Sequence, residues 1–374
     1  MQAKKRMANL EGLRCIAMLM VVVLHFLGKG GLLSDFSDGR LTAFGVTGWL
    51  LEGFCIVAVN LYMLLTGYFL CESDFRPGRL FQIMIQLWTY SIGVGLLAAA
   101  LGLTGDTPVD TYYLLTLLFP VSMKHYWFLT AYVYLLLFTP FLCKGVRAMT
   151  KAQHGSAILI LLCFFSLGKS VLPIHFEMDG NGYDCIWYLT MFLIAAYIRR
   201  FGLPVLDKKR KGVLLYVVCC LLVSLLSVGI RVVTARTGRF SLSQNMFIHY
   251  NNLLTMLAAV GLFSVFLKSK GEGKIWQLMS KISPYCLGVY LLHENIGVRY
   301  AWQKWFFVDQ IHSVPRLVLT VILAAVTVFA VGVCVEAVRV LVMRGILAGL
   351  SGLSVWRKLM QKVQIWDESF RVEK

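Results

Sequence analysis

The sequence predicts an all-α fold, a polytopic membrane bundle of about ten transmembrane helices. Hydrophobic residues make up 58% of the 374 residues and charged residues only 15%, and the mean hydropathy is +0.72. Long apolar runs recur along the chain, and lysines and arginines gather in the short links between them, as the positive-inside rule expects. This composition excludes a soluble multidomain protein.

The apolar runs approach the length of about 17–25 residues that a helix needs to cross a bilayer. The predicted spans are 9–28, 48–70, 80–102, 126–143, 156–173, 185–199, 212–230, 252–267, 283–298 and 316–343. Segments 185–199 and 283–298 are short for a span. The segment 104–125 is predicted to be an interfacial re-entrant piece between two spans.

The distribution of charge predicts the orientation of the bundle. Lys4, Lys5 and Arg6 precede the first apolar run and place the amino terminus in the cytoplasm. An even number of spans returns the carboxy terminus to the same side, so we expect a multi-pass protein of the plasma membrane with both termini cytoplasmic. The net charge of +17 therefore reflects contact with the lipid bilayer and does not indicate nucleic-acid binding.

The chain divides into a predicted membrane domain at 1–343 and a cytoplasmic tail at 344–374. Apolar residues recur at helical spacing from Arg344 to Trp366, with Arg357, Lys358 and Lys362 between them. This pattern predicts an amphipathic helix that anionic lipids of the inner leaflet attract. The ten cysteines form no CxxC motif and no paired Cys/His zinc spacing, so no metal site is expected.

The first span carries two ionisable residues, Arg14 and His25, which are eleven positions apart. At about 100° per residue they come within roughly 20° of three full turns, so they share one helix face about 16 Å apart along the axis. Ionisable groups inside hydrocarbon are costly, which predicts that this face meets a polar interior or a ligand. The alternative is a snorkelling arginine and a structural histidine.

The link before the third span contains Arg76-Pro77-Gly78-Arg79. Proline is favoured at the first position of a helix, and two arginines three positions apart can both face a phosphate. Their predicted side of the membrane is that of Arg14. An ordinary positive-inside pair explains the same residues without a ligand.

Several further residues are candidates for substrate contact or support. They are Asn60 in the second span, Trp127 at the start of the fourth, and Tyr290, His293 and Glu294 in the ninth. Hydrogen bonds across the bundle, an aromatic belt and a structural histidine are the alternatives for them. A buried imidazole needs a partner on its second nitrogen, and for His25 the candidates are Glu52, Asn60 and Glu294.

Four motifs in this order resemble the acyltransferase-3 family, over roughly residues 8–342. They are Arg14-x10-His25, Arg76-x-x-Arg79, YWFLTAYVYLLLFTPFL at 126–142 and SPYCLGVYLLH at 283–293. Members of this family are integral membrane acyltransferases that modify cell-surface carbohydrates, often by O-acetylation. The resemblance implies that His25 is the essential histidine and Arg14 its partner arginine, and that Arg76 and Arg79 engage acyl-CoA.

The resemblance also implies a reaction. Acetyl-CoA or another acyl-CoA is the expected donor substrate, a carbohydrate hydroxyl the acceptor, and no permanently bound cofactor is expected. We expect His25 to act as a general base, with an acyl-histidine intermediate as the alternative. The chain departs from the family pattern at Leu24 and Cys143, and no SGNH-type domain follows the bundle, which favours a stand-alone enzyme. The alternative function is a transporter or flippase for a lipid-linked sugar.

Overall fold

The computed structural model describes residues 7–73, 75–172 and 180–370, and these residues form helices and connecting turns without any strand. The helices are α1 (Ala8–Lys29), α2 (Ala43–Cys55), α3 (Ala58–Leu70), α4 (Pro77–Ala100), α5 (Thr111–Leu118), α6 (Trp127–Ala148), α7 (Lys151–Leu162), α8 (Gly168–Val171), α9 (Cys185–Phe201), α10 (Lys209–Thr237), α11 (Leu253–Leu267), α12 (Lys274–Ile282), α13 (Cys286–His293), α14 (Val314–Leu350) and α15 (Ser354–Ser369).

The predicted polytopic helical bundle is confirmed. Within the described residues, eight helices are long and apolar enough to cross a membrane, judged by length and composition. They are Ala8–Lys29, Ala43–Leu70, Pro77–Ala100, Trp127–Ala148, Lys151–Val171, Lys209–Thr237, Ser241–Leu267 and Val314–Leu350. The predicted span at 185–199 corresponds to α9, which has 17 residues and is largely buried inside the bundle.

The predicted helix at 283–298 was wrong at its carboxy-terminal end. Helix α13 ends at His293, and turns follow. The reason is Asn295, whose side-chain amide donates to the carbonyl of Tyr90 at 3.0 Å and whose side-chain oxygen accepts from the Gly297 N–H at 2.9 Å. Such local side-chain bonds give the backbone an alternative to the helix. The sequence pattern alone does not reveal the partner on α4.

Helix α1 lies at the centre of the bundle. It contacts α2, α3, α11, α12, α13 and α14. Leu13, Ala17, Val22 and Leu27 are completely buried, as expected for a helix surrounded by others. The first span is therefore enclosed by protein along most of its length, and its ionisable side chains face other helices.

Residues after α13 are anchored to α4 and to the turn before α6. The N–H of Ile296 donates to Nε2 of His125 at 2.8 Å, and Nδ1 of His125 lies 3.0 Å from Oγ of Ser91. Burial, followed by the positive charge of Arg299, lowers the pKa of His125 to about 3. His125 is therefore neutral at physiological pH, as its acceptor role requires.

The interfacial re-entrant piece predicted at 104–125 contains one short helix, α5. Asp110 caps α5 by accepting from the Tyr113 N–H at 2.8 Å, and the phenol of buried Tyr113 donates to the Gly95 carbonyl of α4 at 2.7 Å. The segment is thus held against α4. Its depth in a membrane stays a prediction.

The tail differs from the single helix predicted to begin at 344. Helix α14 continues to Leu350, and α15 begins at Ser354 after a turn. Helix α15 lies against the start of α4, where Oδ1 of Asp367 accepts from the Gly78 N–H at 2.8 Å and the rings of Phe370 and Phe75 meet edge to face. The division into domains at 343 stays a prediction.

Candidate functional site

Arg14 and His25 line one cavity of about 290 Å³ inside the bundle. Residues Arg79, Trp127 and Tyr290 lie in the same wall. Their helices are α1, α4, α6 and α13, so the cavity forms only when segments far apart in the chain come together. The helical period places Arg14 and His25 on one face, and this face borders the cavity.

His25 is held by two residues at the end of α13. Its Nδ1 lies 2.9 Å from Nε2 of His293 and 3.2 Å from Oε1 of Glu294. The backbone carbonyl of His25 also accepts from the side-chain amide of Gln303 at 3.3 Å. These contacts fix both the ring and its backbone. Of the three partners considered for its second nitrogen, Glu294 is the one in contact.

The hydrogen bonds define which nitrogen of His25 carries the proton. Nδ1 of His293 lies 2.6 Å from the carbonyl oxygen of Val289, and a carbonyl only accepts, so this nitrogen carries hydrogen. A neutral His293 therefore accepts at Nε2, and Nδ1 of His25 is the donor. Nε2 of a neutral His25 then holds the lone pair, and it has no hydrogen-bond partner within the described residues. A free lone pair at a cavity wall is the arrangement that a general base requires.

Glu294 connects His25 to a cation. Its Oε1 also accepts from Nζ of Lys29, one helical turn after His25 on α1. The carboxylate is buried, at 5% exposure, and buried charges are normally paired in this way. Lys29 was not among the site residues predicted from the sequence. Its signal is the spacing of four from His25, which puts both on one face.

His25, His293 and Glu294 also have the residue types and spacing of a metal site, with their ligand atoms within 4.8 Å of one another. The ammonium of Lys29 on the same carboxylate repels a divalent cation. The lone pair of His293 already faces a proton on His25. The donor set is therefore better suited to proton transfer than to holding a metal ion.

Arg14 is anchored at the opposite end of the cavity from His25 along α1. Its guanidinium pairs with Glu11 at 2.5 Å, and Glu11 accepts a second hydrogen bond from Oγ of Ser283. The Arg14 side chain remains 28% exposed, which leaves part of the guanidinium free for an anion. Glu11 was not predicted as a partner of Arg14, although the spacing of three in Glu11-x-x-Arg14 is typical of a helical ion pair.

Arg76 and Arg79 line a second, larger cavity of about 880 Å³ at the start of α4. Arg76 is the residue before the helix, and Pro77 occupies its first position, as predicted. Arg79 lies in the walls of both cavities. The arginine pair is thus next to the cavity of Arg14 and His25.

Two supporting residues have different surroundings. The phenol oxygen of Tyr290 is buried in the wall of the first cavity and has no hydrogen-bond partner within the described residues. Asn60, in contrast, donates to the Tyr250 carbonyl at 2.8 Å and accepts from Nε1 of Trp187 at 2.9 Å. Its hydrogen bonds tie α3 to α9 and to the residues before α11. The structure does not bring Asn60 into contact with His25.

Comparison with known proteins gives one match. A protein-family model described as an acyltransferase domain, that of acyltransferase-3, matches residues 7–336. No curated protein matches the chain, and no solved structure matches it. The matched range contains Arg76, Arg79 and every residue of the first cavity.

Proposed function

We propose a reaction for this chain, which belongs to the acyltransferase-3 family and is a multi-pass membrane acyltransferase. It transfers an acyl group from cytoplasmic acyl-CoA to a hydroxyl group of a cell-surface polysaccharide or lipid-linked glycan. Acetyl is the acyl group to test first. The observation that carries this proposal is the joint position of Arg14, His25 and Arg79 in one cavity wall. A flippase forms and breaks no covalent bond, so its function does not require a histidine with an oriented lone pair.

The donor enters from the end of the bundle where α4 begins. Arg76 and Arg79 bind its phosphates, because guanidinium groups match phosphate oxygens in pairs. Arg14 receives the diphosphate or the start of the pantetheine arm. The Arg14–His25 separation of about 16 Å along the helix is on the order of the length of that arm, so the thioester reaches His25.

The reaction is a direct acyl transfer. Nε2 of His25 takes the proton from the acceptor hydroxyl as its oxygen attacks the thioester carbonyl carbon. The new C–O bond forms, the C–S bond breaks, and the proton passes from the imidazolium to the departing thiolate. Glu294 stabilises the imidazolium through its contact with Nδ1, in the manner of the acidic residue of a catalytic triad. The phenol of Tyr290 donates to the carbonyl oxygen as negative charge develops there.

The orientation follows from the donor. Acyl-CoA is cytoplasmic, so the start of α4 and the amino terminus of α1 face the cytoplasm, and His25 lies toward the outer face of the plasma membrane. Both termini are then cytoplasmic.

The experiment is acetyl transfer by purified protein in lipid nanodiscs, with radiolabelled acetyl-CoA and candidate glycans. We expect consumption of acetyl-CoA that depends on the glycan, with label recovered as an ester. In cells, the glycan that loses its esters when the protein is absent identifies the acceptor. Movement of a lipid-linked sugar across the bilayer without ester formation would contradict the proposal.

A further inference from the structure

We propose that α15 forms one wall of the donor nucleotide site and that Arg357 supplies a third guanidinium to the donor's phosphates. This inference rests on the proposed function, because the donor is acyl-CoA. The cavity of about 880 Å³ lies between the start of α4 and α15, with Arg76 and Arg79 on one side and Arg357 on the other. Its volume lies in the range of about 300–1,000 Å³ typical of ligand pockets.

Helix α15 is held across this cavity by contacts at its carboxy-terminal end. The carboxylate of Asp367 accepts from the Gly78 N–H at 2.8 Å, and Phe370 contacts Phe75 with ring centroids 5.0 Å apart. A Cβ atom at position 78 would lie 3.0 Å from the Asp367 carboxylate, so glycine permits this close approach. Asp367 also places a negative charge at the amino terminus of α4, where the helix dipole favours it.

The charges of the wall favour an anionic ligand. The cavity is lined by three arginines, Arg76, Arg79 and Arg357, and by one carboxylate, that of Asp367. Oδ1 of this carboxylate accepts from the Gly78 N–H, and the arginines of the lining outnumber it three to one. Coenzyme A carries a diphosphate and a 3′-phosphate, and arginine binds phosphate oxygens in a bidentate manner.

A nucleotide fits the site better than a lipid headgroup, although both offer phosphate. Arg79 belongs also to the wall of the cavity that contains His25, so a ligand bound by its phosphates can continue toward the reacting histidine. Trp356 of α15 lines the larger cavity as well and presents an aromatic surface to a nucleobase. The amphipathic pattern of α15 is thus explained by its contact with the cavity as well as by contact with a membrane surface.

Binding calorimetry on the full-length protein in nanodiscs of zwitterionic lipid tests the inference. The probes are coenzyme A, 3′-dephospho-coenzyme A and pantetheine. We expect Arg357→Ala to weaken coenzyme A binding about 10-fold or more, as loss of a hydrogen bond to a charged group does, and to leave pantetheine binding unchanged. Lys358→Ala is the matched control, since Lys358 is exposed on the same helix and outside the cavity wall.

A second variant tests the wall itself. Asp367→Ala removes the contact with Gly78, and we expect it to weaken coenzyme A binding and to raise hydrogen exchange in α15. Coenzyme A binding by Arg357→Ala equal to that of Lys358→Ala, with Arg79→Ala impaired, would overturn the inference and leave the proposed function standing. No coenzyme A binding by the wild type would overturn both. Competition by added anionic lipid, without any Arg357-dependent coenzyme A binding, would identify a headgroup site instead.

Discussion

Nδ1 of His25 lies 2.9 Å from Nε2 of His293, although the two residues are 268 positions apart. His293 in turn donates to the Val289 carbonyl, so a neutral His293 offers only a lone pair to His25. The ring of His25 is thereby held in one tautomer, with the lone pair on Nε2. In the proposed mechanism, His293 therefore acts through His25, as a positioning residue.

Replacing His293 tests this positioning role. We expect His293→Ala to lower kcat roughly 10–100-fold. A general base accelerates a reaction by about 10²–10⁴-fold, and this variant loses only the orientation of that base. We expect KM for acyl-CoA to stay unchanged, since His293 lines neither the cavity of Arg76 and Arg79, where the donor is proposed to bind, nor the cavity of Arg14 and His25. His293→Gln restores part of the rate, because its amide oxygen can accept from Nδ1 of His25. A purely structural role predicts equal loss in both variants, together with a lower unfolding temperature.

The arginine pair is expected to act on donor binding. Arg79→Ala raises KM for acyl-CoA about 10-fold or more, on the scale of a lost charged hydrogen bond, and Arg76→Ala raises it less. The order follows from Arg79 lying in both cavity walls. Initial-rate measurements over a range of acyl-CoA concentrations check this. Lys144→Ala, an exposed cation after Cys143, is the control. Unchanged KM in Arg79→Ala would exclude the pair from donor binding.

Replacing Tyr290 by phenylalanine is expected to affect stability and activity differently. A buried hydroxyl without a partner costs free energy, so Tyr290→Phe should leave the unfolding temperature unchanged or raise it. In the proposed mechanism the hydroxyl stabilises the developing oxyanion, so we expect kcat of Tyr290→Phe to fall about 10²–10³-fold. The two measurements are thermal unfolding in detergent and acetyl transfer. Full activity in Tyr290→Phe would remove the phenol from the reaction.

Metal removal tests the assignment of the His25, His293 and Glu294 cluster to proton transfer. We expect dialysis against a chelator to leave acetyl transfer unchanged, because Lys29 occupies the same carboxylate and the histidine nitrogens face each other. Metal content of the active protein is measured in parallel. Loss of activity on chelation, restored by one divalent cation, would show that the cluster holds a metal ion.

Part of the site was predictable because it depends on local geometry. The helical period places Arg14 and His25 on one face, and Pro77 predicts where α4 begins. The contact of His25 with His293 was not predictable in the same way, because it depends on how α1 and α13 pack. Both histidines were predicted as candidate site residues. Because they lie on different helices, no sequence spacing predicts that they are in contact.

The two main differences between prediction and structure have the same physical origin. Helix α13 ends early because the Asn295 amide finds a carbonyl on α4, a partner that no local pattern reveals. The apolar face of α15 suits contact with lipid and contact with protein equally well. Its position against Gly78 therefore could not be predicted from the sequence pattern. In contrast, eight of the ten predicted spans correspond to candidate membrane spans of the described residues, because the length requirement of a bilayer is local.

The most direct test of the account is acetyl transfer by His25→Ala in nanodiscs, compared with His312→Ala, which replaces an exposed histidine outside both cavities. Coenzyme A binding is measured on the same samples to show that the donor site is intact. The account predicts that His25→Ala binds coenzyme A as the wild type does and loses acetyl transfer by about 10²-fold or more, while His312→Ala retains it. Undiminished transfer by His25→Ala would contradict the account.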